Sequence, residues 1–239
     1  MRRLVIALVL VGWSVTPALA QVSVAQAPSL SVGPYTAGVK TFTGLTSLST
    51  GQLVICGAAI LSSRTFSSIT VGGEAMTLIA TINTGFGGQT IAYRVITGDE
   101  SGQDVVVTLS GADAENTPVG CIVVAGAATD QSGQDTDSNV PAGAQEHTIG
   151  PVTPTTASNI VVGWSGDRGN RSWTNASGWT VVGEANRYAM VYDIQDAADD
   201  RSWTFSTTDS AGGAWLSLAV FAAAGGDPQR RLMLLGVGQ

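Results

Sequence analysis

One pattern dominates this chain: short runs rich in valine, isoleucine and threonine, closed by glycine, asparagine, aspartate or serine, occur twice in the same order. Leu53-Val54-Ile55 followed by Arg64-Thr65-Phe66 matches Ile160-Val161-Val162 followed by Arg171-Ser172-Trp173 at one constant offset. Ala75-Met76-Thr77-Leu78 answers Gly178-Trp179-Thr180-Val181, and Val107-Thr108-Leu109-Ser110 answers Trp203-Thr204-Phe205-Ser206. The halves close alike, with Cys121-Ile122-Val123-Val124-Ala125-Gly126 against Ser217-Leu218-Ala219-Val220-Phe221-Ala222. Duplication of this kind restricts the fold to architectures assembled from two like units.

The runs themselves are strands. Segments 53–59, 75–82, 90–97, 104–110, 119–125, 159–164, 179–182, 188–194, 202–206 and 215–222 are β-branched or aromatic, and several alternate apolar with polar residues. Trp203-Thr204-Phe205-Ser206 is one such alternation, placing one face inward and one toward water. No segment after the first twenty residues sustains a helical period. The expected fold is therefore an all-β, antiparallel sandwich of jelly-roll type built from two similar halves. About five strands per half make an open sheet with one apolar face, so packing one sheet from each half buries both. Two separate small sandwiches satisfy the same pattern.

The organisation that follows is a lead-in at 21–50 with weak strands near Ser29 and Lys40, a first repeat at 51–128, a connector at 129–158, a second repeat at 159–226, and an apolar tail at 227–239. The connector, rich in Asp, Ser, Gly and Pro, reads as a linker or a long excursion across one sandwich. The first twenty residues form an export signal: Arg2 and Arg3, an apolar stretch from Leu4 to Val15 too short to span a bilayer, and Ala18-Leu19-Ala20 before the cleavage point. The expected location is periplasmic, secreted or on the cell surface, with no membrane span remaining after cleavage.

A net charge of −7, with Lys40 the sole lysine, argues against nucleic-acid partners, which require clustered cations to displace phosphate counterions. Export exposes Cys56 and Cys121 to an oxidising compartment. Each lies in an apolar β-like run, so the two either bridge neighbouring strands or remain separate buried thiols.

The search for chemistry is short. His147 is the sole histidine, read as a solvated residue at the end of the connector, and no Gly-x-Ser-x-Gly elbow accompanies it. One histidine and two distant cysteines do not make a zinc site. No Gly-rich cradle stands between a strand and a helix to hold a nucleotide. Glu74, Glu100, Glu115, Glu146 and Glu184 supply the carboxylates that a glycoside hydrolase would need in a pair, an enzyme reading that ranks third. Asp130, Asp135 and Asp137, and again Asp196, Asp199 and Asp200, put oxygen ligands at the short spacing that calcium takes, without matching the helix-flanked calcium loop. Solvated turns are the simpler reading of both groups.

Aromatic residues point to a binding surface. Trp164, Trp173, Trp179, Trp203 and Trp215 all fall in the second half. Trp173, Trp179 and Trp203 replace Phe66, Met76 and Val107 and read as enlarged core packing. Trp164 precedes the polar loop Ser165-Gly166-Asp167-Arg168-Gly169-Asn170-Arg171, and an exposed indole beside Asp167, Arg168, Asn170 and Arg171 would make a sugar-stacking platform.

An early aliphatic strand (Ile160 to Gly163), a Gly-Trp-Thr-Val strand (Gly178 to Val181), a Tyr-bearing strand (Tyr188 to Ile194) and an Ala-rich closing strand (Leu216 to Ala224) together resemble uncharacterised β-sandwich proteins of bacteria and their phages. The resemblance implies virion-surface or fibre-associated work, structural or receptor-binding, from which the export signal departs. The expectation is thus a non-catalytic exported recognition module for glycans. Its alternative is a structural or virion-associated protein that docks into an assembly through the apolar tail.

Overall fold

The computed structural model describes residues 21–131, 134–140, 146–167, 173–175, 178–185, 188–207 and 214–224, and every regular element among them is a strand. The first half contributes β1 (Ser23–Gln26), β2 (Ser31–Tyr35), β3 (Val39–Phe42), β4 (Ser47–Leu48), β5 (Leu53–Ile60) and β6 (Phe66–Val71). It continues with β7 (Glu74–Ala75), β8 (Thr77–Thr84), β9 (Gly87–Val95), β10 (Glu100–Ser101), β11 (Val105–Leu109) and β12 (Asp113–Ala125). The second half holds β13 (Thr136–Asn139), β14 (Glu146–Val152), β15 (Asn159–Asp167) and β16 (Trp173–Asn175). Then come β17 (Thr180–Ala185), β18 (Tyr188–Gln195), β19 (Arg201–Thr207) and β20 (Ala214–Ala222). The two weak strands of the lead-in correspond to β2 and β3, and the tail lies outside the described residues.

These strands form an all-β antiparallel sandwich, as the alternation requires, but each half supplies two main sheets instead of one, with β4 and β10 making a further two-stranded sheet in the first half. In the first half the order β1-β12-β5-β9-β8, with β2 also on β12, makes an inner sheet, and β3-β11-β6-β7 makes an outer one. The chain crosses between them repeatedly, and β7 runs on through Met76 into β8 by changing sheets, which is jelly-roll interleaving. Segment 75–82, which reads as one strand, is therefore two. The second half runs β13-β20-β15-β18-β17 in its inner sheet and β14-β19-β16 in its outer one. The connector is accordingly no linker: β13 and β14 lie within it and edge both of the second half's sheets.

Three apolar layers separate the four larger sheets. Val54, Cys56, Ala58, Ile60, Val105, Val107 and Cys121 fill the first sandwich. Val161, Val191, Trp203, Phe205, Leu216 and Leu218 fill the second. Between the inner sheets lies a third core of Leu53, Ile55, Ile91, Ile122, Ile160, Val162, Trp164, Met190 and Phe221. The physical origin is the composition of the central strands. All eight residues of β5 and all nine of β20 are buried, because both runs are apolar on both faces and a sheet made of them must be covered twice. At about 1.5–3 kcal/mol for each large side chain buried, the middle layer is a major part of the fold's stability.

Cys56 and Cys121 are register partners on β5 and β12 and form a disulfide, with Cα atoms 4.1 Å apart. His147, expected in solvent, is instead buried on the inward side of β14, its ring 5.2 Å from that of Phe205. Alternation on β14 carries it inward with Ile149, while Glu146 and Thr148 face out.

Candidate functional site

Trp164 does not form the platform expected of it. Its side chain is fully buried (0% exposed) in the layer between the inner sheets, so it offers no face to a sugar. Gly57 and Gly120 stand opposite each other on β5 and β12 and leave a bare notch on the first inner sheet. The indole of Trp164 fills the Gly57 side of that notch so closely that a Cβ there would collide with the ring, and Leu30 covers Gly120. The sequence places Trp164 near the end of a strand, and the error lies in taking a strand end for the surface. Asp167 closes β15, where its backbone pairs with Ala214. Arg168, Asn170 and Arg171 lie outside the described residues.

Trp203 is buried in the second sandwich as core packing predicts, and Trp179 packs against that core beneath the Arg201 guanidinium, 5.2 Å from its ring. The side chain of Trp173 lies outside the described set. Trp215 is buried and its ring sits on Gly87.

The contact between Trp215 and Gly87 brings two sets of loops to one pole. Ile60 at the end of β5 pairs with Gly88, and Trp215 pairs with Gly166, one residue before β15 ends. The 61–65 loop, the 84–87 hairpin and the end of β15 at Asp167 therefore lie at one pole. Phe86 occupies the two-residue tip of the hairpin, 65% exposed, the most exposed large apolar side chain among the described residues. The tip is held by Thr84, whose Oγ1 donates to the Gly87 carbonyl (2.8 Å) and accepts from the Phe86 amide (3.4 Å).

The neighbouring loop is held as firmly. The buried Asp113 carboxylate accepts from the Leu61 amide and the Ser62 hydroxyl, both at 3.2 Å, and from the Glu115 amide at 3.1 Å. Thr65 and Ser110 exchange bonds, with the Thr65 amide donating to Ser110 Oγ and the Ser110 amide to the Thr65 carbonyl. These contacts leave Ser63 and Arg64 exposed at the pole, the Arg64 guanidinium resting over Gly111. Beneath the pole the Gln89 amide nitrogen donates to the Trp164 carbonyl and to Ser217 Oγ, each at 2.9 Å, and Ser217 Oγ donates to the Ala80 carbonyl. That network ties the two inner sheets together directly below the loops.

Sequence reasoning missed Phe86, although a signal exists: Thr84-Gly85-Phe86-Gly87-Gly88 sets a lone aromatic in a turn between two strand-like runs.

The acidic groups are used locally. Asp135 and Asp137 accept the backbone amides of Thr153 and Gly150 at 2.9 Å, and Asp200 accepts from the Thr153 hydroxyl at 2.8 Å. Glu100 pairs with Arg94 at 2.7 Å, and Glu146 is exposed on β14 in the other half. No group of three His, Cys, Asp or Glu side chains among the described residues is placed to hold a metal ion. The sole lysine, Lys40, is buried, its Nζ donating to the carbonyls of Gly33 (2.9 Å) and Thr117 and lying 5.6 Å from the centre of the Tyr35 ring. Burial pushes Lys40 down to about 8 and raises Tyr35 above its ordinary range. Both groups act as internal ties between strands. Compared with known proteins, the chain matches no family model, no curated protein and no solved structure.

Proposed function

We propose that this chain is an exported, non-catalytic recognition module that binds glycans at the pole formed by the 61–65 loop and the Phe86 hairpin. The observation that carries the reading is Phe86: a large aromatic, 65% exposed on a two-residue tip, at the pole where Ser63 and Arg64 are also exposed. Aromatic faces beside hydrogen-bonding side chains suit sugar rings, which are apolar on their C–H faces and polar at their rims. A pre-ordered tip lowers the entropy cost of binding. The Cys56–Cys121 bridge and the signal-like first twenty residues support export. The non-catalytic reading draws support from Asp135, Asp137 and Glu100, which are engaged with backbone amides or an arginine.

Binding of the full chain to a glycan array, followed by calorimetric titration of the strongest hit, tests the proposal. Phe86→Ala and Arg64→Ala are expected to weaken that binding at least about tenfold, the equivalent of about 1.4 kcal/mol, while far-UV spectra stay unchanged. Array binding that is indifferent to both substitutions, or a chain that binds no glycan, removes the reading.

A further inference from the structure

The two inner sheets list their strands in matching order, and they face each other in a way that matching order alone does not require. β8 lies across β13 and β20, while β17 lies across β12. β5 and β15 both run toward the Phe86 pole. A half-turn about an axis parallel to the strands, midway between the inner sheets, carries β12-β5-β9-β8 onto β20-β15-β18-β17 and exchanges the β8–β20 crossing with β17–β12. The pairing registers extend the match to single residues. Gly57 pairs with Gly120 and Ile91, and Trp164 pairs with Ser217 and Met190. Thr77 pairs with Tyr93 as Thr180 pairs with Tyr192.

The register also corrects the sequence alignment of the closing strands. Cys121 pairs with Cys56 and faces the first sandwich, whereas Ser217 pairs with Trp164 and faces the layer between the inner sheets. Leu218, paired with Gly163, takes the position equivalent to Cys121, so the alignment of these strands is one residue out of phase. A slip of one residue exchanges the faces of a strand.

We infer that the two halves meet as two copies of one unit would, about this pseudo-two-fold axis, and that Gly57 and Trp164 are the pair that determines the specificity of the contact. In a two-fold contact, a residue at the axis meets its own counterpart. Here the counterparts differ: Trp164 fills the space left by Gly57, while Leu30 covers Gly120 beside it. Two glycines at the axis would leave a void and two tryptophans would overfill it, so one of each matches each half to the other half and not to a copy of itself.

Reciprocal exchange in the full chain tests this. Gly57→Trp and Trp164→Gly are each expected to lower the urea midpoint, and the double variant to regain most of the loss, because a tryptophan at 57 then faces small residues at 164 and 217. A double variant at or below the weaker single variant overturns the inference. Should Gly57→Trp alone fail to fold, the double variant decides: a cooperative unfolding transition supports the exchange, and an unfolded double variant refutes it.

Discussion

Replacing Trp164 by alanine separates a structural indole from a ligand platform. The ring is fully buried between the inner sheets, and truncating a buried aromatic to alanine costs about 3–5 kcal/mol in lost transfer energy and residual cavity. Domains are stable by only about 5–15 kcal/mol, so the variant should fold but lose a large share of its margin. For a chain of this size each kcal/mol moves the thermal midpoint by about 2–4 °C, which puts the expected fall at roughly 6–20 °C. The Gln89 bond to the Trp164 carbonyl is a backbone contact and survives the substitution, so the loss reports on the ring. Thermal denaturation followed by far-UV circular dichroism measures it. Phe86→Ala serves as the exposed control, expected within about 0.5 kcal/mol of the parent. A Trp164→Ala midpoint equal to that of the parent would refute the burial argument and return the indole to the surface.

Other outcomes follow from the buried groups. The disulfide closes a loop with a sequence separation of 65, worth about 4 kcal/mol by loop-closure entropy, so the Cys56→Ala/Cys121→Ala chain should show a lower urea midpoint that added reductant does not change further. Lys40 titrates near 8 in the fold against 10.5 unfolded, so the unfolded chain binds the extra proton between these values and stability rises with pH there, by about 2 kcal/mol from pH 8 to 10. Tyr35 is raised in the fold, so its contribution is complete below its unfolded value near 10 and is lost above it. Denaturant titrations across this range should therefore show a maximum close to pH 10, and Lys40→Met should flatten the rising limb; an unchanged limb in that variant assigns the rise elsewhere. Gln89→Ala withdraws the donor to the Trp164 carbonyl and Ser217 Oγ beneath the pole, and equilibrium unfolding should register a loss of about 1–3 kcal/mol.

Much of the fold is legible in local sequence. Alternation such as Trp203-Thr204-Phe205-Ser206 identifies a half-covered strand, and in the structure Trp203 and Phe205 point into the second sandwich while Thr204 faces outward to share a 2.8 Å hydroxyl contact with Thr148. The unbroken apolar run of β5 also carries a message, that both of its faces need cover, and this distinguishes four sheets from two. The candidate site was harder to read. Whether an indole lies outside or inside depends on what faces it, and what faces Trp164 is a pair of glycines from the other half of the chain. His147 and the connector illustrate the same dependence: short polar segments gain their strand pairing, and so their inward faces, from β19 and β20.

By itself the amino-acid order determined strand content and antiparallel pairing, because period-two alternation and turn residues act over a few positions. Only the tertiary structure decided which faces meet, that Cys56 lies beside Cys121, that Trp164 is enclosed and that Phe86 is exposed at a hairpin tip. Those outcomes depend on sheets brought together from distant parts of the chain, where a missing side chain on one strand makes room for a large one on another.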